Sequence, residues 1–268
     1  MSVWDFLRRA KRLGVVGVSL ESCYLPQDEP FRERLRRQLD AYRFECAWAW
    51  GHPDGLRSGT DRQAARELVK HLGIAARLGC KVMRIVGGSR RSRPKSWSVH
   101  QRQLGRMLRE ILDGAQQHGV VLALENHIDL LADEMVDLIA GIDSPWLGVC
   151  LDTGNNLRMI EDPVAVAEKL APFTRATHIK DLTAYRGDPR DFRFWPSVPL
   201  GDGIIDLEAI LGFLQKSRYQ GLLAIEIDYL HPEHGEEDRA MARSVRFLRS
   251  LLDGTARKPV AATRSSPA

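Results

Sequence analysis

Short apolar runs alternate with longer amphipathic stretches along the chain. The runs GVVGVSL (14–20), FECAWAW (44–50), KVMRIVG (81–87), VVLALEN (120–126), WLGVCLD (146–152), RATHIKD (175–181) and LLAIEID (222–228) predict β-strands, and SVPLG (197–201) predicts a weaker one. Helical spacing falls between them, at 31–42 with Leu35 and Leu39, and at 61–78 with Leu68, Leu72 and Ile74. Further helices are predicted over 101–118, 130–141, 163–171, 206–217 and 237–253. Thr60/Asp61 and Asp206 stand where N-caps belong. Strands alternating with helices form parallel βαβ units. Eight units in 268 residues close most simply into one α/β domain, a (β/α)8 barrel over residues 1–254. An open doubly wound sheet is the alternative. It usually carries a glycine-rich turn after its first strand, and SLESCYLPQDE contains no glycine. The remaining stretch, TARKPVAATRSSPA (255–268), is small, polar and aperiodic, and is expected to be a disordered tail.

Four of the predicted strands end in a residue able to bind a metal: Glu125, Asp152, His178 and Glu226. Barrel enzymes place their chemistry at such ends. Strand alternation sets Ala123, Cys150, Ala176 and Ala224 one layer below these four. Small residues under a polar ring leave room for an ion and the groups that orient its ligands. Several buried carboxylates are costly unless a cation neutralises them, so one divalent metal is expected. Three carboxylates and one imidazole favour Mn²⁺, then Mg²⁺ or Co²⁺, over Zn²⁺.

Composition narrows the class. With 44% hydrophobic and 28% charged residues the chain is of ordinary globular type. No apolar run reaches the ~20 residues of a membrane span. The start, MSVWDFLRRAKRLG, lacks the layout of a signal peptide, so a cytoplasmic location is expected. Four scattered cysteines without a CxxC pair argue against a disulfide framework and a thiolate zinc site. Arg257, Lys258 and Arg264 supply three of the net +4 charges, leaving residues 1–254 near neutral; no nucleic-acid partner is indicated.

The ring of ligand candidates, with LALENH, GVCLDTGNN, ATHIKD, PLGDGIIDLEAI and LAIEID, resembles the xylose isomerase-like TIM-barrel superfamily, and within it the sugar phosphate isomerase/epimerase group. The resemblance runs over residues 14–252. It implies that Glu125, Asp152, His178 and Glu226 hold one divalent metal. It further implies a metal-stabilised enediolate, with Glu125 and Glu226 as acid and base. The product would be an isomer or epimer of a small carbohydrate; loss of a β-hydroxyl or carboxylate would make the same chemistry a lyase reaction. The pattern of the best-known epimerases is not complete. Asn155 stands where they often carry a histidine, and ENHIDLL offers His127 and Asp129, with Leu131, where they often have a second glutamate. Related barrels often form dimers or tetramers, so a homo-oligomer is an expectation by analogy.

Other groups follow strand ends. Trp50 and His52 are candidate substrate contacts after the second strand, Trp50 as an aromatic wall or equally a core residue; Asn155 is one after the fifth, and Lys180 shares the inward parity of His178. Arg90, Arg91, Arg93 and Lys95 follow the third strand, and Arg186, Arg190 and Arg193 the sixth. Two cationic loops over the mouth, with Arg90 and Arg186 as candidate ligands, point to an anionic substrate such as a sugar acid, keto acid or sugar phosphate; otherwise they are solvated loops. The glycine pair in GGS (87–89) is a weak phosphate signal. An endonuclease IV-like nuclease would need more histidine and acidic ligands than the ring offers. A non-catalytic scaffold is opposed by the four-residue ring.

Overall fold

A computed structural model describes residues 1–254. The expected tail, 255–268, lies outside the described residues. Six parallel strands run in sequential order: β1 (Gly17–Glu21), β2 (Glu45–Ala49), β3 (Val82–Ile85), β4 (Val121–Glu125), β5 (Leu147–Asp152) and β6 (Thr174–His178). Between and after them lie α2 (Glu29–Tyr42), α3 (Arg62–Arg77), α4 (Trp97–His118), α5 (Ala132–Ile142), α6 (Pro163–Leu170), α7 (Leu207–Lys216) and α8 (Glu237–Leu252). The expected caps are in place: Asp61 accepts from the amides of Gln63 and Ala64, and Asp206 from that of Ala209. The architecture is a single-domain (β/α)8 TIM barrel.

The strands sort their residues into two layers. On β3, Met83 and Ile85 point outward into the main core while Val82 and Arg84 point inward. The outer layer is the large one. It joins Trp48, Met83, Leu122, Leu124, Val149 and Leu151 to the helices. The inner layer is a separate small cluster of Ala123, Cys150 and Ala176, with Val82 against it. Three of the four residues expected beneath the polar ring therefore line the interior; Ala224 stands outside that cluster.

Two expected strands differ. The 197–201 strand is reduced to β8 (Ser197–Val198). It pairs antiparallel with β7 (Asp181–Leu182) at the mouth, outside the parallel sheet. The 222–228 run forms no ladder. Instead Ile179 donates to Ala224 O at 2.7 Å and Glu226 N donates to Ile179 O at 3.1 Å, so the run lies parallel to the extension of β6. Thr177 replaces further backbone pairing: its hydroxyl donates to Leu222 O and accepts from Ala224 N. The run also reaches β1, where a Cβ on Gly17 would lie 2.6 Å from Leu222 Cδ2. Only glycine permits that approach.

A helix not expected from the pattern, α1 (Val3–Leu13), precedes β1. Ser2 and Asp5 form a capping box at its start, and Gly14 (φ 67°) ends it in the left-handed region. α1 lies along α8: Arg9 pairs with Asp238 at 2.6 Å, and Arg249 donates to Leu13 O at 2.8 Å.

Candidate active site

Glu125, Asp152 and His178 end β4, β5 and β6, and Glu226 lies on the run beside β6. Asp152 and His178 are register partners. One donor atom from each of the four falls within 4.8 Å of the others. His178 Nδ1 is 2.9 Å from both Glu125 Oε1 and Glu226 Oε2. Glu125 Oε2, Asp152 Oδ2 and Glu226 Oε2 are buried with no hydrogen-bond partner. These oxygens meet Arg84, Lys180 and His178 only as ion pairs without an aligned hydrogen bond, and hard donors gathered this closely from three strand ends and the run beside β6 fit a divalent cation.

Cations of the protein hold this ring together. Arg84 reaches up from the inner layer to Glu125 Oε2 (3.0 Å) and Glu21 Oε1 (3.3 Å). Its register partner is Ala123, so the small layer makes room for a guanidinium. Burial opposes the charge on Glu125, but Arg84 and His178 outweigh it and hold the carboxyl well below its ordinary range. Lys180 is equally sealed. Its Nζ lies 2.6 Å from Asp228, 3.0 Å from Asp152 and 3.1 Å from Glu226. Burial works against the Lys180 charge, and these carboxylates overcome it, raising its pKa. For Glu226 the cations prevail: burial is outweighed by Lys180 and His178, and its pKa falls. Asp152 is different, because burial prevails over Lys180 and its pKa rises. For His178 burial is outweighed by the Cys150 sulfur and the Glu226 and Glu125 carboxylates, and the pKa rises.

Asp152 is positioned by its own turn. Its Oδ1 accepts from the amides of Gly154 and Asn155, both at 2.8 Å. Its backbone is clasped by Asn126, whose Oδ1 accepts from Asp152 N while its Nδ2 donates to Asp152 O. Below the mouth, Asp181 accepts amides from Leu182, Gly201, Gly203 and Ile205, which shapes the PLGDG turn.

The other expected substrate contacts divide. Asn155 and Lys180 are buried at the ring. Trp50 shares the outward face with Cys46 and Trp48 and belongs to the main core, stacked on His52 at 5.0 Å. Strand parity sends that ring to the helix layer, so the expected aromatic wall is not formed by Trp50. Among the described residues no contact joins either ring to the four-residue cluster. Arg90 spends both terminal nitrogens on the carbonyls of Arg190 and Arg158, bridging two loops. Arg93 pairs with Glu134 and donates to Asp129 O. Arg186 is exposed on the loop after β7. Three residues of the site were not singled out in the sequence. Asp228 carries a usable signal, since it shares the inward parity of Glu226, whereas the third strand gave Arg84 no assigned neighbour. Arg158, buried on the turn after β5, carries none.

Comparison with known proteins places this geometry. The chain is 26% identical to the rhizopine catabolism protein MocC of Rhizobium meliloti, over 96% of this chain and 81% of that protein. It is 29% identical to a 3-oxo-isoapionate decarboxylase of Pectobacterium atrosepticum over 58% of this chain and 54% of that protein. It is 23% identical to an inosose dehydratase of Clostridium beijerinckii over 80% and 76%. Among solved structures, a xylose isomerase domain protein from Planctomyces limnophilus superposes with TM-score 0.77 at 23% identity, covering 93% of this chain and 92% of that one. The IOLI protein, solved with a bound zinc atom, also gives 0.77, at 15% identity over 96% and 95%. The profile of the family described as xylose isomerase-like TIM barrel matches residues 7–251, and the chain belongs to that family.

Proposed function

We propose that this protein is a divalent-metal-dependent isomerase or epimerase of a small, anionic carbohydrate: a sugar acid, keto acid or sugar phosphate. The observation that carries the reading is the convergence of Glu125, Asp152, His178 and Glu226 within 4.8 Å at the barrel mouth. These four would hold the metal, Mn²⁺ first by donor type, then Mg²⁺ or Co²⁺, with Zn²⁺ behind them. When bound, it supplies positive charge that stabilises negative charge developing on a substrate carbonyl oxygen. Glu226, the one partly exposed member of the ring, removes the proton from the carbon beside that carbonyl. Glu125 delivers a second proton from the other side, leaving Glu226 to release the first to solvent. Lys180 neutralises Asp152, Glu226 and Asp228 and thereby keeps a carboxylate-rich pocket compatible with an anionic substrate.

A lyase reaction is the second reading, and the asymmetry of the two glutamates favours it. Cations lower the pKa of both glutamates, but Glu125 is sealed and only Glu226 is partly open to the mouth. A dehydratase or decarboxylase needs only one mobile carboxylate with a cationic neighbour. Two relatives by sequence carry those names.

The test is a panel of keto sugars, sugar acids and sugar phosphates incubated with Mn²⁺-loaded protein in D₂O. Isomerisation or epimerisation conserves the substrate's skeleton and brings in deuterium, whereas a lyase releases water or CO₂. Glu226→Gln is expected to lower kcat by about 10²–10⁴-fold, the range for a general acid–base residue. Turnover that survives in both Glu226→Gln and Glu125→Gln, or that needs no metal, would overturn the reading.

A further inference from the structure

Arg158 is a buried guanidinium, 3% exposed, on the turn that follows the candidate ligand Asp152. Its hydrogen bonds go to neutral oxygens: Asn155 Oδ1 at 3.0 Å and, at the limit of 3.5 Å, Trp195 O. Its Nε has no partner, and it forms no ion pair among the described residues. Phe192 covers one face of the guanidinium, with Cζ 4.5 Å from the ring centre. Burial pulls its pKa down, while the charges of Asp152, Asp228 and Glu226 support it from beyond contact distance. A guanidinium stays charged in proteins and is seldom buried without an anion.

Its placement ties it to the ring. Asn155 uses its side chain for Arg158 and its backbone amide for Asp152, so one residue links the guanidinium to a candidate metal ligand. Two arginines of the basic loop after β3 lack this freedom. Arg90 is committed to two carbonyls, one of them that of Arg158 itself, and Arg93 to Glu134.

We propose that Arg158 is the residue that binds the anionic group of the substrate, a carboxylate or a phosphate, with Asn155 setting its fork. The proposal rests on the functional reading above and deepens it. It moves anion recognition from the exposed basic loops to a sealed group linked through Asn155 to the candidate metal ligand Asp152. A planar fork offers two parallel donors to an oxyanion, and the cost of burying Arg158 makes that pairing selective against neutral ligands.

The test measures the affinity of Mn²⁺-loaded protein for three five-carbon probes, ribitol, D-ribonate and D-ribitol 5-phosphate, by calorimetry. At least one anion is expected to bind about tenfold more tightly than ribitol, and which one does so separates carboxylate from phosphate. Arg158→Met should erase that preference and leave Mn²⁺ binding unchanged; Arg158→Lys should retain part of it. Equal binding of all three probes by wild-type protein overturns the proposal without needing a variant. So does an anion preference that survives in folded Arg158→Met, because the anion would then be held by the metal or by another cation. A wild-type protein that binds no Mn²⁺ overturns the functional reading and this proposal together, which separates that failure from failure of the Arg158 assignment alone.

Discussion

Asp129 is fully buried, and neither carboxylate oxygen has a hydrogen-bond partner. Burial pushes its pKa up to about 6, against the pull of His127. Below the unfolded value of 3.8 the group is protonated in both states. As pH rises toward 6 the unfolded chain releases the proton and the native protein keeps it, so stability falls across that window by about 3 kcal/mol. Asp129→Asn removes the penalty. The variant should match wild type near pH 4 and exceed it above pH 6, read as the difference in urea midpoint at the two pH values. The sequence made part of this chemistry legible. The ring residues were visible because they end strands of clear periodicity. Arg84 was hidden by its type, since a charged residue within an apolar run reads as a point facing solvent. In this barrel it faces inward, over a layer of alanine and cysteine. In sequence Trp50 is open between a sugar wall and the core, because an aromatic at a strand end suits both; its parity with Trp48 commits it to the outer core.

At the scale of elements, the PLGDG turn shows why the 197–201 run did not become a barrel strand. Its residues gather around Asp181, whose Oδ2 accepts from Gly201 (2.9 Å) and Gly203 (3.0 Å) and whose Oδ1 accepts from Ile205 and Leu182. A Cβ on Gly203 would lie 2.0 Å from Asp181 Oδ1, so the approach requires glycine. Hydrogen bonding to one buried carboxylate has replaced hydrogen bonding to a neighbouring strand. Asp181→Asn would turn one acceptor into a donor facing buried amides. It is expected to cost about 2–3 kcal/mol, seen as a lower denaturant midpoint with an unchanged slope. The helices were the more legible elements because their caps and their 3.6-residue spacing agree. α1 was not anticipated, although Ser2, Asp5 and Gly14 mark both of its ends. A short apolar stretch rich in arginine at the start of the chain draws attention to targeting before structure.

For the whole molecule, the ring of buried acids couples metal binding to stability. A cation that binds only the folded barrel adds stability by mass action, about 2.7 kcal/mol at a hundredfold excess over Kd. Mn²⁺ should therefore raise Tm, and a chelator should lower it. In the metal-free protein His178 holds its proton above the usual histidine range, because burial is outweighed by Cys150, Glu226 and Glu125. That proton must leave before the imidazole can act as a ligand. Metal affinity should accordingly rise with pH, by up to about tenfold per unit while His178 is still protonated in the free protein. Mn²⁺ titrations at a series of pH values check the slope, and an affinity independent of pH would show that His178 is not a ligand.

The pairing of α1 with α8 has a kinetic consequence. The contacts that join them link residues separated by 229 and 236 positions. Each is also an exposed contact. Closing so long a loop is entropically expensive and yields little in return until the neighbouring strands are in place. The six-stranded arc can assemble through successive neighbours, and the two terminal helices then seal it as a late event. Contacts made after the rate-limiting step govern how fast a protein comes apart more than how fast it forms. On that order of events, loosening the α1–α8 junction, as in Arg9→Ala with Arg249→Ala, is expected to speed unfolding more than it slows folding, read from the two arms of a denaturant-dependent rate plot.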